Sequence, residues 1–206
     1  MSIILDVETT GLPDRLGFDH YFPYTDINKY DNSRIVQFSF ILCDDTFSKV
    51  ETHDYVIKGD FPIPESDFHN ITYELSQSKG ISLSEVIERF ENCLSKASHL
   101  IAHNIFFDIN VLKSELCRIG KTDTIESIEN KVHVCTLKNS TNILCLNKGK
   151  YGYKSPKLSE LYKFATKKQI ENAHNSLYDV LNLHEAMISL PQLIPKNVVY
   201  GGIICD

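Results

Sequence analysis

Apolar residues occur in short segments, with strand-like runs in the first third of the chain and helical spacing later. The run at Ile3–Leu5 predicts a first strand, residues 34–43 (RIVQFSFILC) predict a second, and Tyr55–Ile57 predict a third. Short strands joined by short turns favour an antiparallel meander. Residues 12–33, rich in turn formers and aromatic side chains, predict a long loop between the first two strands.

Helical spacing begins after residue 80, where a capping-box sequence (Ser82-x-x-Glu85) precedes apolar residues at positions 86, 87, 90 and 94. Five further elements are predicted: a strand at 100–102, a helix capped by Asn104 that runs to about Ile119 and ends at Gly120, a strand at 132–134, a helix capped by Ser155 with Pro156 at its first position, and a helix from about Ser176 to Leu190 that ends at Pro191. This order favours an α/β fold in which helices pack on a mixed sheet.

The composition is that of a soluble globular protein, with 42% hydrophobic and 23% charged residues among 206. The 21 basic and 27 acidic side chains give a formal net charge of −6. Proteins that hold nucleic acid through nonspecific phosphate contacts are more often basic. Either nucleic acid is not the ligand, or a metal ion supplies the positive charge.

Six cysteines without a Cys-x-x-Cys pair predict reduced thiols and an intracellular, reducing compartment, which we take to be the cytoplasm. The first six residues contain no basic segment and reach Asp6 at once, so we expect no signal peptide. Since no apolar run approaches the ~18 residues of a membrane span, we expect no membrane contact.

Two carboxylates, Asp6 and Glu8, follow the first apolar run and, at positions i and i+2 of a strand, point to the same face. Such a pair at the end of a buried strand requires a cation or a shared proton, unless the strand end is solvated. The turn Thr9-Thr10-Gly11 follows, offering backbone N–H groups to a ligand, although alone it indicates only a turn.

Two further polar groups lie at predicted helix starts. One is His103-Asn104-x-x-Phe107-Asp108, where Asp108 falls in the first helical turn; the other is His174 to Asp179. Taken alone, the first fits a helix cap with a first-turn acid and the second a loop histidine. Together, the four carboxylates and one histidine fit a two-metal phosphodiesterase, in which Mg²⁺ or Mn²⁺ ions bind carboxylates and a neutral histidine accepts the proton of the attacking water.

These segments resemble the three motifs of the DEDDh (DnaQ-like) 3′–5′ exonucleases, in the same order. The segments that match are Ile4 to Gly11, His103 to Asp108 and His174 to Asp179. The connecting residues Ile63-Pro64-Glu65, His69 to Thr72 and Leu83 to Phe90 are similar to those of bacterial polymerase proofreading subunits. Three ordered motifs are a specific signal, whereas any one of them is weak.

The resemblance implies a ribonuclease H-like fold, a five-stranded mixed sheet flanked by helices, as an exonuclease domain over residues 1–190 with a tail at 191–206 of unknown role. It implies one divalent cation held by Asp6, Glu8 and Asp179, a second held by Asp6 and, largely through water, Asp108, and His174 as the general base. It also implies a terminal-nucleotide site, with His103 positioning the turn of the second motif. The implied nucleotide-binding residues are Thr9, Thr10, Gly11, Leu12, His69, Asn104 and Phe107.

Three positions depart from the common pattern: Val7 replaces threonine, Gln37 replaces glutamate and Asn175 replaces arginine. None removes a catalytic group. We therefore expect a 3′–5′ exonuclease acting on single-stranded 3′ ends of DNA and releasing nucleoside monophosphates, with a DNA polymerase as a candidate partner. The alternatives are a 3′–5′ exoribonuclease similar to RNase T or oligoribonuclease and, from another class, a non-catalytic module that binds nucleic acid or a polymerase.

Overall fold

The computed structural model describes residues 1–17, 20–64, 69–150, 152–170 and 175–194. Its strands are β1 Ser2–Thr9, β2 Arg15–Gly17, β3 His20–Tyr21, β4 Ile35–Cys43, β5 Lys49–Val56, β6 His99–Ala102, β7 Val132–Cys135, β8 Lys148–Gly149 and β9 Gly152–Tyr153. Its α-helices are α1 Tyr73–Lys79, α2 Leu83–Lys96, α3 Ile105–Arg118, α4 Thr122–Glu129, α5 Thr136–Leu144, α6 Leu158–Thr166 and α7 Ser176–Ser189. Short 3₁₀ helices span Ile27–Tyr30 and Pro191–Leu193.

Five strands form one mixed sheet in the order β5-β4-β1-β6-β7. The pairs β1–β4 and β4–β5 are antiparallel, as the predicted meander requires, whereas β1–β6 and β6–β7 are parallel. β1 therefore lies at the centre of the sheet, and all nine residues of β4 are buried beside it. The predicted fold class, a five-stranded mixed sheet flanked by helices, is confirmed.

The sheet has an apolar core on each face because side chains alternate along β1. Ile3, Leu5 and Val7 belong to the core packed with α2 and α3, whereas Ile4 belongs to the core packed with α6 and α7. Asp6 follows Ile4 by two positions and therefore points to the face covered by α7.

The helix boundaries agree in part with the sequence predictions. Ser82 caps α2 by accepting a hydrogen bond from the Glu85 backbone N–H, and α3 ends just before Gly120, whose φ is +72°. The predicted cap at Ser155 is wrong: α6 begins at Leu158 with Lys157 at its N-cap, and the Glu160 carboxylate accepts the Lys157 backbone N–H at 2.7 Å. A first-turn carboxylate thus sets the start of the helix, two residues later than the Ser-Pro pair predicts.

The domain limit at residue 190 stays a prediction. Leu193 and Ile194 lie buried in the core beside α7, and residues 195–206 of the tail lie outside the described part. No helix among the described residues has both the length and the apolar character needed to cross a membrane.

Candidate active site

The end of β1 places Asp6 and Glu8 on one face of the sheet. On the neighbouring strand β4, Ser39 pairs with Asp6 and Gln37 pairs with Glu8. The β1–β4 pairing register shifts between Glu8 and Thr9. The two carboxylates therefore stand side by side where the central strand leaves the sheet, as their spacing predicts.

Helix α7 brings a third carboxylate, that of Asp179, to the same place. Asp6, Glu8 and Asp179 each offer an oxygen, and the three oxygens lie within 4.8 Å of one another. Asn175 caps the helix by accepting a hydrogen bond from the Tyr178 backbone N–H, so Asp179 lies in the first turn. The structure thus joins the first and third sequence motifs.

The second motif contributes Asp108, which is 2% exposed. Its Oδ1 accepts a hydrogen bond from the backbone N–H of Val7, between the two β1 carboxylates, at 3.2 Å. Helix α3 begins directly after Asn104, whose φ of 77° is left-handed and whose side chain makes no capping hydrogen bond. Asn104 thus occupies the predicted N-cap position, without a side-chain hydrogen bond to the helix.

Burial and neighbouring charges raise the pKa values of Asp6, Glu8 and Asp108. Burial, followed by the charges of Asp108, Asp179 and Glu8, raises the pKa of Asp6 well above its ordinary value. Burial and then Asp179 raise the pKa of Glu8 to about 7. Burial likewise raises the pKa of Asp108 to about 8, against the hydrogen bond from Val7. The site therefore favours a bound positive charge or protons over four free carboxylates.

The donor chemistry fits a hard divalent cation. Carboxylate oxygens suit Mg²⁺ and Mn²⁺, and three of them converge from two elements in a group that includes no histidine or cysteine among the described residues. The four carboxylates lie close together on a central strand and at two helix starts. Keeping them all ionised there costs folding free energy unless a cation compensates their charge.

Polar residues behind the carboxylates join β4, β5 and α7, and the sequence analysis did not identify them as a group. Asp54 Oδ1 accepts hydrogen bonds from Gln37 Nε2 and Ser39 Oγ, both at 2.7 Å. The hydroxyls of Ser39 and Ser176 lie 2.6 Å apart, and the Ser176 backbone N–H donates to Gln37 Oε1 at 3.4 Å. This network fixes the first residue of α7 three positions before Asp179. No local sequence pattern reveals this network, because it depends on the strand register that pairs Glu8 with Gln37 and on the packing of α7.

The turn after β1 packs against residues 32–34. Thr9 Oγ1 donates to the Gly11 carbonyl at 2.7 Å, and Thr10 Oγ1 donates to the Asn32 carbonyl at 3.1 Å while accepting the Arg34 N–H at 2.9 Å. A Cβ on Gly11 would lie 2.9 Å from the Asn32 carbonyl oxygen. Both threonine hydroxyls thus shape the turn, and Leu12, 63% exposed, follows it at the surface.

Two other predicted nucleotide-binding residues have known positions. His69 is buried, its Nδ1 accepts the Ile71 N–H at 3.1 Å, and burial lowers its pKa despite a hydrogen bond with the Thr9 backbone, which places it beside the turn. Phe107 is half-buried and packs against the core of α2 and α3. His174, the predicted general base, lies outside the described residues.

His103 has a structural environment. Its Nδ1 lies 3.1 Å from Thr136 Oγ1 and its Nε2 lies 3.0 Å from the Pro156 carbonyl oxygen. Burial lowers the pKa of His103 to about 4, so the ring is neutral at physiological pH. It connects the corner between β6 and α3 to α5 and to the segment before α6, consistent with a positioning role for the second motif.

Comparison with known proteins identifies a family that matches most of the chain. A protein-family model described as Exonuclease (RNase_T) matches residues 3–187. No curated protein matches the chain by sequence.

Solved structures share the fold at low sequence identity. E. coli Exonuclease I in complex with a 5cy-dT13 oligonucleotide has a TM-score of 0.62 and 17% identity, over 93% of this chain and 41% of that one. A 3′-exonuclease that recognises the 3′ end of a histone mRNA stem-loop has a TM-score of 0.61 and 13% identity, over 93% and 81% of the two chains. S. pombe Pop2p with Mg²⁺ and Mn²⁺ bound has a TM-score of 0.63 and 14% identity, over 98% and 90%. The chain spans about two fifths of the length of Exonuclease I.

Proposed function

The chain belongs to the exonuclease family, as its three motifs predict, and we propose that it hydrolyses phosphodiester bonds at the 3′ ends of single-stranded DNA. The enzyme class is confirmed by the family match over residues 3–187. The observation that supports the proposed chemistry most directly is the convergence of the Asp6, Glu8 and Asp179 oxygens within 4.8 Å, with Asp108 fixed to the backbone of the same strand.

We assign the residues as the motif resemblance implies. Asp6, Glu8 and Asp179 would hold one cation, and Asp6 with Asp108 would hold a second, with Asp108 acting largely through water. When bound, Mg²⁺ or Mn²⁺ supplies the positive charge that stabilises the attacking and leaving oxygens of an in-line displacement. His174 accepts the proton of the attacking water, a role worth at least ~10²-fold in rate. This role rests on its position in the third motif.

The terminal nucleotide is proposed to lie against the turn Thr9–Leu12. Backbone N–H groups of such a turn can approach a phosphate closely, and Gly11 leaves room where a larger residue would meet Asn32. We propose that His69, Asn104 and Phe107 line the same pocket. The hydrogen bond of His69 with the Thr9 backbone supports its place in this pocket.

DNA is proposed as the substrate because the segments between the motifs are similar to those of proofreading subunits. The structural neighbours include one protein solved with a deoxythymidine oligonucleotide and one that recognises a histone mRNA stem-loop, so RNA stays the alternative substrate. A DNA polymerase partner rests on the proofreading resemblance alone. The five described cysteines carry free thiols, which supports the proposed reducing, cytoplasmic compartment.

One gel series tests the function. The substrates are 5′-labelled single-stranded DNA and RNA of one sequence, incubated with Mg²⁺, Mn²⁺ or EDTA and either the wild-type chain or Asp6→Ala. We expect a metal-dependent ladder that shortens from the 3′ end, forms faster on DNA and is absent with Asp6→Ala. Faster RNA shortening would replace DNA with RNA as the substrate. Intact substrates in every lane would instead favour the non-catalytic binding module.

A further inference from the structure

A second cluster of metal-ligating side chains lies on the other face of the sheet. Along β5, Asp54 pairs with Ser39 on the active-site face, whereas His53 pairs with Phe40 on the face covered by α2. Glu51 shares that face with His53, and Cys93 reaches it from α2. Among the described residues, Glu51, His53 and Cys93 form a group of three ligand atoms that is separate from the catalytic carboxylates.

The three atoms have the spacing of zinc ligands. His53 Nε2 and Glu51 Oε2 lie 3.2 Å apart, and Cys93 Sγ lies 3.6 Å from each of them. With metal bonds of about 2.0–2.1 Å to nitrogen and oxygen and about 2.3 Å to sulfur, a tetrahedral ion separates N from O by roughly 3.3 Å and S from either by roughly 3.6 Å. The observed triangle is therefore one face of such a tetrahedron.

We propose that Glu51, His53 and Cys93 bind a Zn²⁺ ion through these three atoms, with a water molecule as the fourth ligand. Water can reach the cluster beside Glu51, because the Glu51 side chain is 32% exposed, whereas Cys93 is fully buried. One nitrogen and one sulfur ligand select zinc over the hard cations that the all-carboxylate site prefers.

Neighbouring side chains hold each ligand in the required orientation. The His53 ring stacks on Phe40 with centroids 4.5 Å apart, and its Nδ1 lies 2.8 Å from the Tyr55 hydroxyl, which leaves Nε2 directed at the cluster. Lys96 binds the other Glu51 oxygen, Oε1, at 2.9 Å. Metal-ligating histidines commonly have the second ring nitrogen hydrogen-bonded in this way.

Binding releases one proton, because zinc binds the thiolate. Burial and the Glu51 carboxylate keep the Cys93 thiol protonated in the metal-free protein, raising its pKa to about 11. That proton passes to solvent when the S–Zn bond forms. The ion then joins edge strand β5 to α2, so its binding raises the stability of the folded chain.

Cobalt titration of the full chain tests the site, since Co²⁺ occupies zinc sites and its bond to a thiolate gives a near-ultraviolet charge-transfer band. Excess Mg²⁺ is present to fill the carboxylate site, which has no sulfur ligand. We expect the band to saturate at one equivalent, to disappear on adding Zn²⁺ and to be absent in Cys93→Ser. Cys145→Ser, which changes an exposed cysteine, is the matched control and retains the band. Absence of the band in the wild type, or its persistence in Cys93→Ser, overturns the proposal.

Zinc affinity, measured by competition with a chromogenic chelator, gives a second test that does not depend on whether Cys93→Ser folds. Glu51→Gln changes a partly exposed side chain, and we expect it and His53→Gln each to weaken Zn²⁺ binding at least ~10-fold. Unchanged affinity in both variants would overturn the site. Asp6→Ala should leave this affinity unchanged, and Glu51→Gln should leave Mg²⁺-dependent cleavage unchanged, so failure here is distinct from failure of the proposed nuclease function.

Discussion

The carboxylate of Asp108 accepts the backbone N–H of Val7 across 101 residues of sequence at 3.2 Å. Val7 lies between Asp6 and Glu8, so this bond fixes the start of α3 to the peptide that joins the two strand carboxylates. A backbone donor was not foreseeable from side-chain identities at position 7. Because the contact uses the main chain, it does not depend on the side chain at position 7, where valine departs from the motif pattern.

Asp108→Asn separates the charge of this residue from its shape. The amide oxygen can still accept the Val7 N–H, so we expect the fold to persist while cleavage is lost. The folded-state pKa of Asp108, about 8, exceeds the ordinary value of about 3.9, so the native state binds more protons than the unfolded state between those pH values. Stability of the metal-free protein therefore falls as pH rises through that range.

Thermal unfolding in EDTA at several pH values from 5 to 8.5 measures this effect. The wild-type melting temperature should fall toward pH 8, and Asp108→Asn should unfold a few degrees higher than wild type there, since ~1 kcal/mol shifts a chain of this size by roughly 2–4 °C. The difference should narrow toward pH 5. A variant that is less stable than wild type at pH 8 without metal would contradict the electrostatic account.

Much of the site follows from local sequence rules, since the spacing of Asp6 and Glu8 predicts a shared face whatever the surrounding fold. The convergence of Asp179 with this pair needed the motif resemblance, because no local pattern relates α7 to β1. The Gln37–Asp54 and Ser39–Ser176 contacts depend on strand register and on the packing of α7, which the sequence does not state.

Strand β5 shows why some elements were missed. Its prediction began at Tyr55, yet the strand begins at Lys49. Polar residues occupy both of its faces, with Asp54 in the network behind the active site and Glu51 and His53 in the cluster against α2. Alternation of apolar and polar residues is therefore absent, and hydrophobic periodicity cannot reveal such a strand.

Metal binding should reverse the electrostatic penalty of the carboxylates. We expect millimolar Mn²⁺ or Mg²⁺ to raise the melting temperature of the wild type at pH 8 and to flatten its decline with pH, because the cation stabilises the ionised forms of Asp6, Glu8 and Asp179. Isothermal calorimetry with Mn²⁺ checks the binding directly. Asp6→Asn should bind Mn²⁺ more weakly and show a smaller thermal shift. Absence of Mn²⁺ binding at millimolar concentration would favour a non-catalytic module.

Ser39→Ala tests whether the network behind the site positions Asp179. The Ser39 hydroxyl contacts the exposed Asp54 and the buried Ser176, so its loss leaves the Ser176 hydroxyl without this partner and should cost about 1–3 kcal/mol of stability. If the network positions α7, metal affinity should fall about 10-fold or more and recover partly at higher Mn²⁺ concentration.

Ser2→Ala is the matched control for that substitution. Ser2 is a buried serine of the adjacent strand whose hydroxyl has no hydrogen-bond partner among the described residues. We expect its stability and Mn²⁺ affinity to equal those of the wild type within about 0.5 kcal/mol. If Ser39→Ala lowers stability but leaves Mn²⁺ affinity and cleavage unchanged, the network is structural and does not position Asp179.

Gly11→Ala tests the proposed nucleotide-binding turn. The new Cβ would lie 2.9 Å from the Asn32 carbonyl oxygen, so the turn must shift away from the backbone it packs on. Because this turn is proposed to hold the terminal nucleotide, we expect KM for a short single-stranded substrate to rise at least ~5-fold, while Mn²⁺ affinity stays within twofold. Gly149→Ala is the control, since its Cβ would meet only an ordinary contact at 3.9 Å. Steady-state kinetics on both variants decide the point: equal KM values would remove the turn from the substrate site, whereas a rise confined to Gly11→Ala would support it.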